Sequence, residues 1–229
     1  MQLEQILFSQ GFGTRHECRG LIARGRVTVH GAVVVDPYQD FDTEGLVFEV
    51  DNVPWPFFQK AIIAMNKPSG YECSRKPLHH PSVISLLPPP LRNRGVQPVG
   101  RLDEDTTGLL ILTDDGALIH RLTHPKKHVG KVYRVTAKHP MTDIMYERLF
   151  EGVLLDGERE TVAADEIKRV SDCIFDMRIT QGKYHQVKRM VAAVGNRVVG
   201  LQRIAFGKFS LPPELEASQW CFIQKEDLI

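Results

Sequence analysis

The apolar positions near the N-terminus predict two short helices followed by a hairpin. Leucine and isoleucine recur at helical spacing from the third residue onward, and a Gly-Phe-Gly stretch ends this first helix. Thr14 can cap a second helix from His16 to Ala23. Valine-rich runs at 27–29 and 33–35 flank a His-Gly-Ala turn, which is typical of a hairpin.

A stretch with two prolines near 51–59 separates this segment from the rest of the chain, because proline interrupts both helices and strands. After it, 61–65 has the composition of a buried strand. The many prolines of 71–98 predict a loop-rich region that faces the substrate. We therefore predict two domains, a small one over 1–58 and a larger one over 59–229.

The remainder of the chain alternates between strand-like and helix-like periodicity. The predicted strands and hairpins lie at 109–113, 131–135, 153–169, 174–180 and 198–206. The predicted helices lie at 117–122, 142–150 and 181–195, and the chain ends in a tail. Such a mixture predicts a fold with both helices and sheet.

Composition narrows the class of protein. Of 229 residues, 42% are hydrophobic and 25% are charged, as in ordinary soluble proteins. No apolar run approaches the roughly 20 residues that span a bilayer, and the N-terminus lacks the basic-then-apolar pattern of an export signal. The four cysteines are far apart, without the paired spacing of a zinc or redox site. We therefore expect a cytoplasmic protein with reduced thiols and no bound metal.

The net charge of +1 conceals a segregation of charge along the sequence. Residues 121–138 and 181–208 each hold six lysines and arginines and no acid, whereas 36–51 holds six acids and no base. Solvated helix faces would also explain such stretches. Two acid-free basic stretches in one chain nevertheless favour a surface that binds a phosphate backbone.

One acidic residue stands in a distinctive local pattern. Asp103 ends the sequence Gly-Arg-Leu-Asp and precedes a turn and the apolar run at 109–113, so it lies in a bend that leads into a buried strand. The residues alone leave two interpretations open: a turn aspartate that hydrogen-bonds its own backbone, or a carboxylate held in place for catalysis.

The sequence GRLDEDTTGLLILTDDG resembles the signature segment of the pseudouridine synthases that modify ribosomal RNA. A Lys-x-Tyr pattern at 131–133 and the sequence QGKYHQVKRM at 181–190 follow in the order of the family's other motifs. The resemblance covers nearly the whole chain. It implies an α+β fold, in which a small N-terminal module precedes a catalytic domain with a mixed, mainly antiparallel sheet flanked by helices.

The resemblance also implies roles for individual residues. Asp103 would be the catalytic aspartate, as nucleophile or as general base, and Tyr133 would stack on the target base. Lys188 would pair with the aspartate, with Arg189 as the alternative one position later. Arg101 would enter the space that the base vacates or hold a neighbouring phosphate. The reaction would need no cofactor.

The basic residues of the small module resemble those of an S4-type RNA-binding module, a helix pair followed by a small sheet. Four arginines lie on or just after the second predicted helix, opposed by the single acid Glu17, and guanidinium groups match phosphate geometry. Lys67 lies in a turn that matches the family, and either an RNA contact or simple solvation would explain it. The full set of RNA-binding candidates besides Arg101 is Arg15, Arg19, Arg24, Arg26, Lys67, Lys183, His185 and Arg189.

The resemblance is strongest to the branch that acts on small-subunit (16S) ribosomal RNA, with the large-subunit (23S) branch as the alternative. The expected partner is ribosomal RNA or a pre-ribosomal particle. We expect the protein to be a monomer and not to bind a membrane. Two more distant alternatives remain. One is a ribosome-assembly protein without catalytic activity, and the other is a metal-dependent RNA phosphodiesterase built on Asp103, Asp105, Asp114 and Asp115.

Overall fold

A computed structural model describes all residues from 1 to 229. The chain forms two compact units, and each is assembled from two separate segments. The first unit comprises Met1–Ala61 and Ile84–Gln97, and the second comprises Ile62–Val83 and Pro98–Ile229.

The first unit has the predicted helix pair and hairpin. Its elements are α1 (Leu3–Ser9), α2 (Arg15–Ala23), α3 (Pro89–Asn93), β1 (Val27–Val29), β2 (Ala32–Val33), β3 (Val47–Val50) and β4 (Val53–Pro56). The strands form an antiparallel sheet in the order β2-β1-β3-β4. Thr14 caps α2 as predicted, since its hydroxyl accepts from the Glu17 N–H at 3.3 Å and the Glu17 carboxylate accepts from the Thr14 N–H at 2.7 Å.

The segment Ile84–Gln97 differs from the sequence-based expectation, which assigned it to the large domain as part of a loop. Prolines begin α3, where their missing N–H groups are tolerated, and Leu91 is completely buried. Asn93 donates to the Gly11 carbonyl at 2.8 Å. A Cβ at Gly11 would lie 2.1 Å from the Pro90 carbonyl oxygen, so only glycine permits this approach.

The second unit is built on one large sheet. Its elements are β5 (Ile62–Lys67), β6 (Gln97–Pro98), β7 (Thr107–Thr113), α4 (Gly116–Thr123), β8 (Lys131–Ala137), α5 (Asp143–Glu151), β9 (Val153–Leu154), β10 (Thr161–Val162), β11 (Glu166–Arg169), β12 (Ile174–Ile179), α6 (Gln186–Ala193), β13 (Val198–Phe206), β14 (Phe209–Ser210), β15 (Trp220–Phe222) and α7 (Lys225–Leu228). The main strand order is β11-β12-β8-β13-β7-β5-β15. Only β13 and β7 run parallel in it. The predicted mixed, mainly antiparallel sheet is confirmed.

Apolar residues of α4 and α7 cover one part of this sheet. Leu118 and Leu122 from α4 and Leu228 from α7 pack with Leu109 and Ile111 of β7, and all five are at most 2% exposed. Burial of these side chains ties both helices to the centre of the sheet. None of the helices in the structure combines the length and the apolar character that crossing a membrane requires.

Two segments differ most from their sequence-based prediction. The helix expected over 181–195 begins only at Gln186, because His185 has a left-handed backbone with φ of 48° and cannot continue a helix toward the N-terminus. No element was predicted for the C-terminal tail, in which Trp220–Phe222 forms the edge strand β15 against β5. Three residues are too few to give a clear period in the sequence.

Candidate active site

A cavity of about 680 Å³ opens in the second unit, against the centre of the large sheet. Several parts of the chain line it: the loop before β7, the end of α4 and the loop after it, strands β8, β12 and β13, the loop before α6, and α6 itself. The lining residues used below are Asp103, Lys131, Tyr133, His185, Lys188 and Arg203.

The Asp103 carboxylate lies at the cavity wall with 27% of its side chain exposed. Its Oδ1 is 3.1 Å from Nε2 of His185, and its Oδ2 is 3.0 Å from Nζ of Lys188. The Asp103 carbonyl accepts from the Thr106 N–H at 3.1 Å, which closes the turn before β7. The aspartate is therefore fixed from both sides and still faces the cavity.

The buried side chain of Lys67 stabilises the turn between Asp103 and β7. The prediction that Lys67 binds RNA is wrong. The side chain is completely buried. Its ammonium donates to the carbonyls of Pro68, Glu104 and Thr106 at 3.0, 2.9 and 2.9 Å. All three protons are thus used within the protein, and two of the acceptors belong to the residues that follow Asp103. Burial lowers the pKa of Lys67, and its nearest ionisable neighbours raise it less.

Lys188, in the first turn of α6, bridges two acids. Its Nζ lies 3.0 Å from Asp103 and 2.7 Å from Oδ1 of Asp105. Burial alone would lower the pKa of Lys188, but the hydrogen bonds to Asp105 and Asp103 outweigh burial and raise it. The ammonium is therefore charged at neutral pH.

Arg189, the alternative partner, is directed elsewhere. Its guanidinium is 3.5 Å from Glu158 and also donates to the carbonyls of Tyr184 and Asp156. Lys183 ends at the same acid, with 2.6 Å between its Nζ and Oε2 of Glu158. The geometry therefore pairs Lys188 with Asp103 and groups the two neighbouring cations around Glu158.

Tyr133 faces the same cavity from β8. It is 8% exposed, and it stands directly opposite Met177 of β12 and Arg203 of β13 in the sheet register. Directly opposite residues of an antiparallel pair project from the same face. The tyrosine ring thus lies on the cavity side of the sheet, as the predicted face with Lys131 and Val135 requires.

Arg203 is a cavity residue that the sequence analysis did not single out. It is 2% exposed, its Nε donates to the Leu109 carbonyl at 2.7 Å, and its guanidinium lies 5.1 Å from the centre of the Phe206 ring. The sequence feature that could have indicated a buried arginine is its position two residues after Leu201 within an apolar strand. A register shift between Arg203 and Ala205 breaks the alternation there and obscures that signal.

Lys131 lies at the same end of the cavity as Arg203. Its ammonium donates to the Val129 carbonyl at 3.1 Å. Burial lowers the pKa of Lys131 to about 8, the charge of Arg203 adds to this effect, and Asp165 opposes it. Lys131 and Arg203, which both line the cavity, are therefore close enough for their charges to interact.

Two candidates for RNA contacts lie near the cavity mouth. Arg101 is exposed and lines the cavity. The imidazole of His185 stacks on the exposed ring of Tyr184 with 3.8 Å between ring centres. His185 therefore contacts Asp103 through its edge and Tyr184 through its face.

Two acids besides Glu17 lie beside the arginines of the first unit. Arg15 and Arg19 lie 3.4 and 3.3 Å from the Glu4 carboxylate, and Arg26 donates to Asp51 at 2.6 Å. The expectation of a single opposing acid is wrong, because Glu4 and Asp51 are distant from α2 in the sequence. Arg24 is exposed and forms none of these ion pairs.

Three of the four acids proposed for a metal site serve two separate arrangements. Asp103 and Asp105 share Lys188. Asp115 instead caps α4, where it accepts from the N–H groups of Ala117 and Leu118 at 2.9 and 3.0 Å. The geometry thus gives no support to a phosphodiesterase built on these residues.

Comparisons with known proteins agree on one family. The family model described as RNA pseudouridylate synthase matches residues 61–193. RNA pseudouridine synthase YtzG of Bacillus subtilis is 35% identical, covering 100% of this chain and 97% of that protein. Ribosomal small subunit pseudouridine synthase A of Pasteurella multocida is 34% identical, covering 100% and 98%.

A crystal structure of a pseudouridylate synthase has the same fold. It superposes with a TM-score of 0.70 at 32% sequence identity, covering 100% of this chain and 98% of the other. The family model spans more than half of the chain, and the relatives span all of it. The chain therefore belongs to the RNA pseudouridylate synthase family and is an RNA pseudouridine synthase.

Proposed function

We propose that this enzyme converts one uridine of small-subunit ribosomal RNA to pseudouridine, with Asp103 as the catalytic residue. The observation that carries this proposal is the Asp103 carboxylate, which faces the cavity while Lys188 and His185 hold its two oxygens at 3.0 and 3.1 Å. A group fixed in this way keeps the orientation that a reaction at one carbon atom needs.

The reaction breaks the bond between N1 of uracil and C1′ of ribose, turns the base and joins C5 to C1′, after which C5 loses its proton and N1 carries one. Because uracil is both leaving group and nucleophile, the proposed reaction takes no cofactor. Asp103 either attacks C1′, as glycosidase carboxylates do, or removes a proton from the ribose. Both routes need an ionised carboxylate with one oxygen directed at the sugar.

Lys188 and Tyr133 support these steps in different ways. Lys188 keeps its charge at neutral pH because its pKa is raised, so its ammonium balances the carboxylate and fixes its direction. Tyr133 offers a ring on the cavity side of the sheet, on which the extruded base stacks. Extrusion of a base costs roughly a few kcal/mol, and stacking on an aromatic ring returns about 1–3 kcal/mol.

RNA binding is assigned to exposed cations around the cavity mouth and on the first unit. Arg101 is exposed beside Asp103, where it can hold a neighbouring phosphate or fill the space that the base leaves. The half-exposed arginines of α2 and its C-terminal turn form a basic face, which we assign to an S4-type RNA-binding module. We place the enzyme in the cytoplasm as a monomer.

The assignment to the small subunit rests on the relatives named ribosomal small subunit pseudouridine synthase A. Carbodiimide-dependent reverse-transcription mapping of both ribosomal RNAs tests it, in cells that lack the protein and in cells complemented with wild type or Asp103→Asn. In cells that lack the protein, we expect one reverse-transcription stop in small-subunit RNA to be lost. Only complementation with the wild type should restore it. Loss of a stop in large-subunit RNA would transfer the proposal to that subunit, and no lost stop in either RNA would refute it.

A further inference from the structure

The cavity contains a buried guanidinium that has no acidic partner. Arg203 is 2% exposed, and only its Nε has a hydrogen-bond acceptor, the Leu109 carbonyl. Its Nη2 is buried without any hydrogen-bond partner in the protein. A buried charged donor in this state is unfavourable for folding, so the residue calls for an explanation beyond stability.

A second polar atom of the cavity is in the same state. The hydroxyl of Thr106 is buried without a partner, and this residue is 1% exposed. Thr106 follows Asp103 by three residues, and Arg203 stands opposite Tyr133 across the β13–β8 ladder. Both residues that carry these unpartnered atoms line the cavity that also contains Asp103 and Tyr133.

The chemistry of these two groups restricts what they can bind. A guanidinium only donates hydrogen bonds, whereas a hydroxyl both donates and accepts. Uracil presents two carbonyl oxygens with an N–H donor between them. Cytosine has an amino group in place of the C4 carbonyl, so a guanidinium at that carbonyl would face another donor. The C4 carbonyl and N3–H of uracil therefore satisfy both buried groups, whereas the same edge of cytosine leaves two donors opposed.

We propose that Arg203 and Thr106 form the subsite that recognises the carbonyl edge of the extruded uracil, so that Arg203 contacts the reacting base directly. This inference rests on the proposed function, since it presupposes a uridine beside Asp103. Arg203 has a second task during the reaction. When the bond from N1 to C1′ breaks, its electron pair remains on the base and spreads to the carbonyl oxygens. The fixed guanidinium stabilises that charge.

Lys131 strengthens this effect without contacting the base. It adds a second cation at the same end of the cavity, and the charge of Arg203 contributes to the lowered pKa of Lys131. Two adjacent cations favour a ligand that gains negative charge during the reaction. The alternative explanation is that Arg203 only anchors the Leu109 carbonyl through Nε, which leaves Nη2 and the Thr106 hydroxyl unexplained.

The test compares the binding of uridine and cytidine, by ligand-detected NMR, to the full-length wild type and to Arg203→Met and Thr106→Val. Arg134→Met is the matched control. Arg134 lies on β8, which pairs with β13, but its side chain lines a different pocket, and its Nε donates to Oδ1 of Asp176 at 2.8 Å. We expect the wild type and the control to prefer uridine. Each cavity variant should lose about tenfold in uridine affinity, the loss of one good polar contact, and bind the two nucleosides equally.

Kinetics on the mapped ribosomal RNA fragment give the second readout. Arg203→Met should lower kcat by about 10²-fold or more, as expected for loss of a donor to a developing oxyanion, and Arg203→Lys should recover part of it. Thr106→Val removes only an unpartnered hydroxyl, so we expect this variant to fold. If Arg203→Met does not fold, Thr106→Val alone tests whether the subsite binds uracil.

Three outcomes would overturn the inference. In the first, the wild type binds both nucleosides equally or binds neither. In the second, the cavity variants keep the preference for uridine. In the third, Arg203→Met lowers the melting temperature but leaves kcat unchanged. Failure of the proposed function is separate, because there the wild type itself forms no pseudouridine in any ribosomal RNA.

Discussion

Asp103 and Arg203 differ in how the protein satisfies them. Both carboxylate oxygens of Asp103 have cationic or hydrogen-bonding partners within 3.1 Å, whereas Arg203 is buried with one terminal nitrogen unpartnered. A partnered carboxylate is held in position before the substrate binds. An unpartnered donor is completed only by the substrate.

Replacing Asp103 by asparagine should remove catalysis and leave RNA binding intact. The amide keeps the shape of the side chain but can neither attack C1′ nor accept a proton, so turnover should fall by about 10³-fold or more. Tritium release from RNA labelled at C5 of uridine measures the turnover. Glu104→Gln is the matched control, because that acid is exposed and directed at His80. Equal rates for Asp103→Asn and the wild type would contradict the role.

Replacing Lys131 by methionine should change how stability depends on pH. Because the pKa of Lys131 is lowered to about 8 from 10.5, the folded state releases this proton earlier than the unfolded state does. The free energy of unfolding of the wild type should therefore rise between pH 8 and 10 relative to Lys131→Met, by about 2 kcal/mol. Urea denaturation at several pH values measures the difference. Parallel pH profiles for the two proteins would be the contrary result.

Short sequence motifs that resemble those of the family pointed to Asp103, Tyr133 and Lys188, and the structure brings all three to one cavity. Lys67 and Arg203 were not identified correctly. The partners of Lys67 are carbonyls of Glu104 and Thr106, nearly forty positions away, and those of Arg203 lie on β7. Long-range contacts of this kind leave no periodic signal in the sequence.

Among the secondary-structure elements, the parallel pair β7–β13 brings the loop of Asp103 next to the strand of Arg203. Gly108 makes this pairing possible. It has a φ of +95°, and a Cβ there would lie 2.3 Å from the Arg203 carbonyl oxygen. Sequence periodicity predicted both strands, but it could not predict that they pair in parallel. Pairing depends on which backbone surfaces can approach each other, and this glycine is one such determinant.

Gly108→Ala should destabilise the enzyme severely, because the added methyl group meets backbone and the residue keeps a left-handed conformation. We expect a loss of about 3 kcal/mol or more in the free energy of unfolding. Gly116→Ala is the control. It lies in the first turn of α4 with nothing within 4 Å of its added Cβ, so it should be neutral or slightly stabilising. Thermal and urea unfolding of both variants measure the contrast, and similar midpoints would refute the packing argument.

For the molecule as a whole, the net charge of +1 is a poor guide to its partner. The basic stretches predicted from the sequence supply Lys131, Lys188 and Arg203 to the cavity, while several arginines of the first unit are paired with acids. Charge pairing could not be predicted, because Glu4 and Asp51 approach α2 and its C-terminal turn only in the folded unit.

Neutralising Arg24 should weaken RNA binding without affecting catalysis at saturating RNA. Arg24 is exposed, so its guanidinium is available to a phosphate. We expect Arg24→Gln to reduce the slope of log affinity against log salt by about 1. A salt titration of binding to a ribosomal RNA fragment measures the slope. Lys60→Gln, also exposed, is the matched control, and equal slopes for all three proteins would remove Arg24 from the RNA-binding surface.

The division of the first unit between Met1–Ala61 and Ile84–Gln97 affects how the chain matures during translation. This unit lacks Leu91, one of its completely buried residues, until α3 has left the ribosomal tunnel. By then the first strand of the catalytic sheet, β5, has already been synthesised. The small module therefore cannot finish folding before synthesis of the catalytic sheet has begun, and grafting it onto another protein would require two splice sites instead of one.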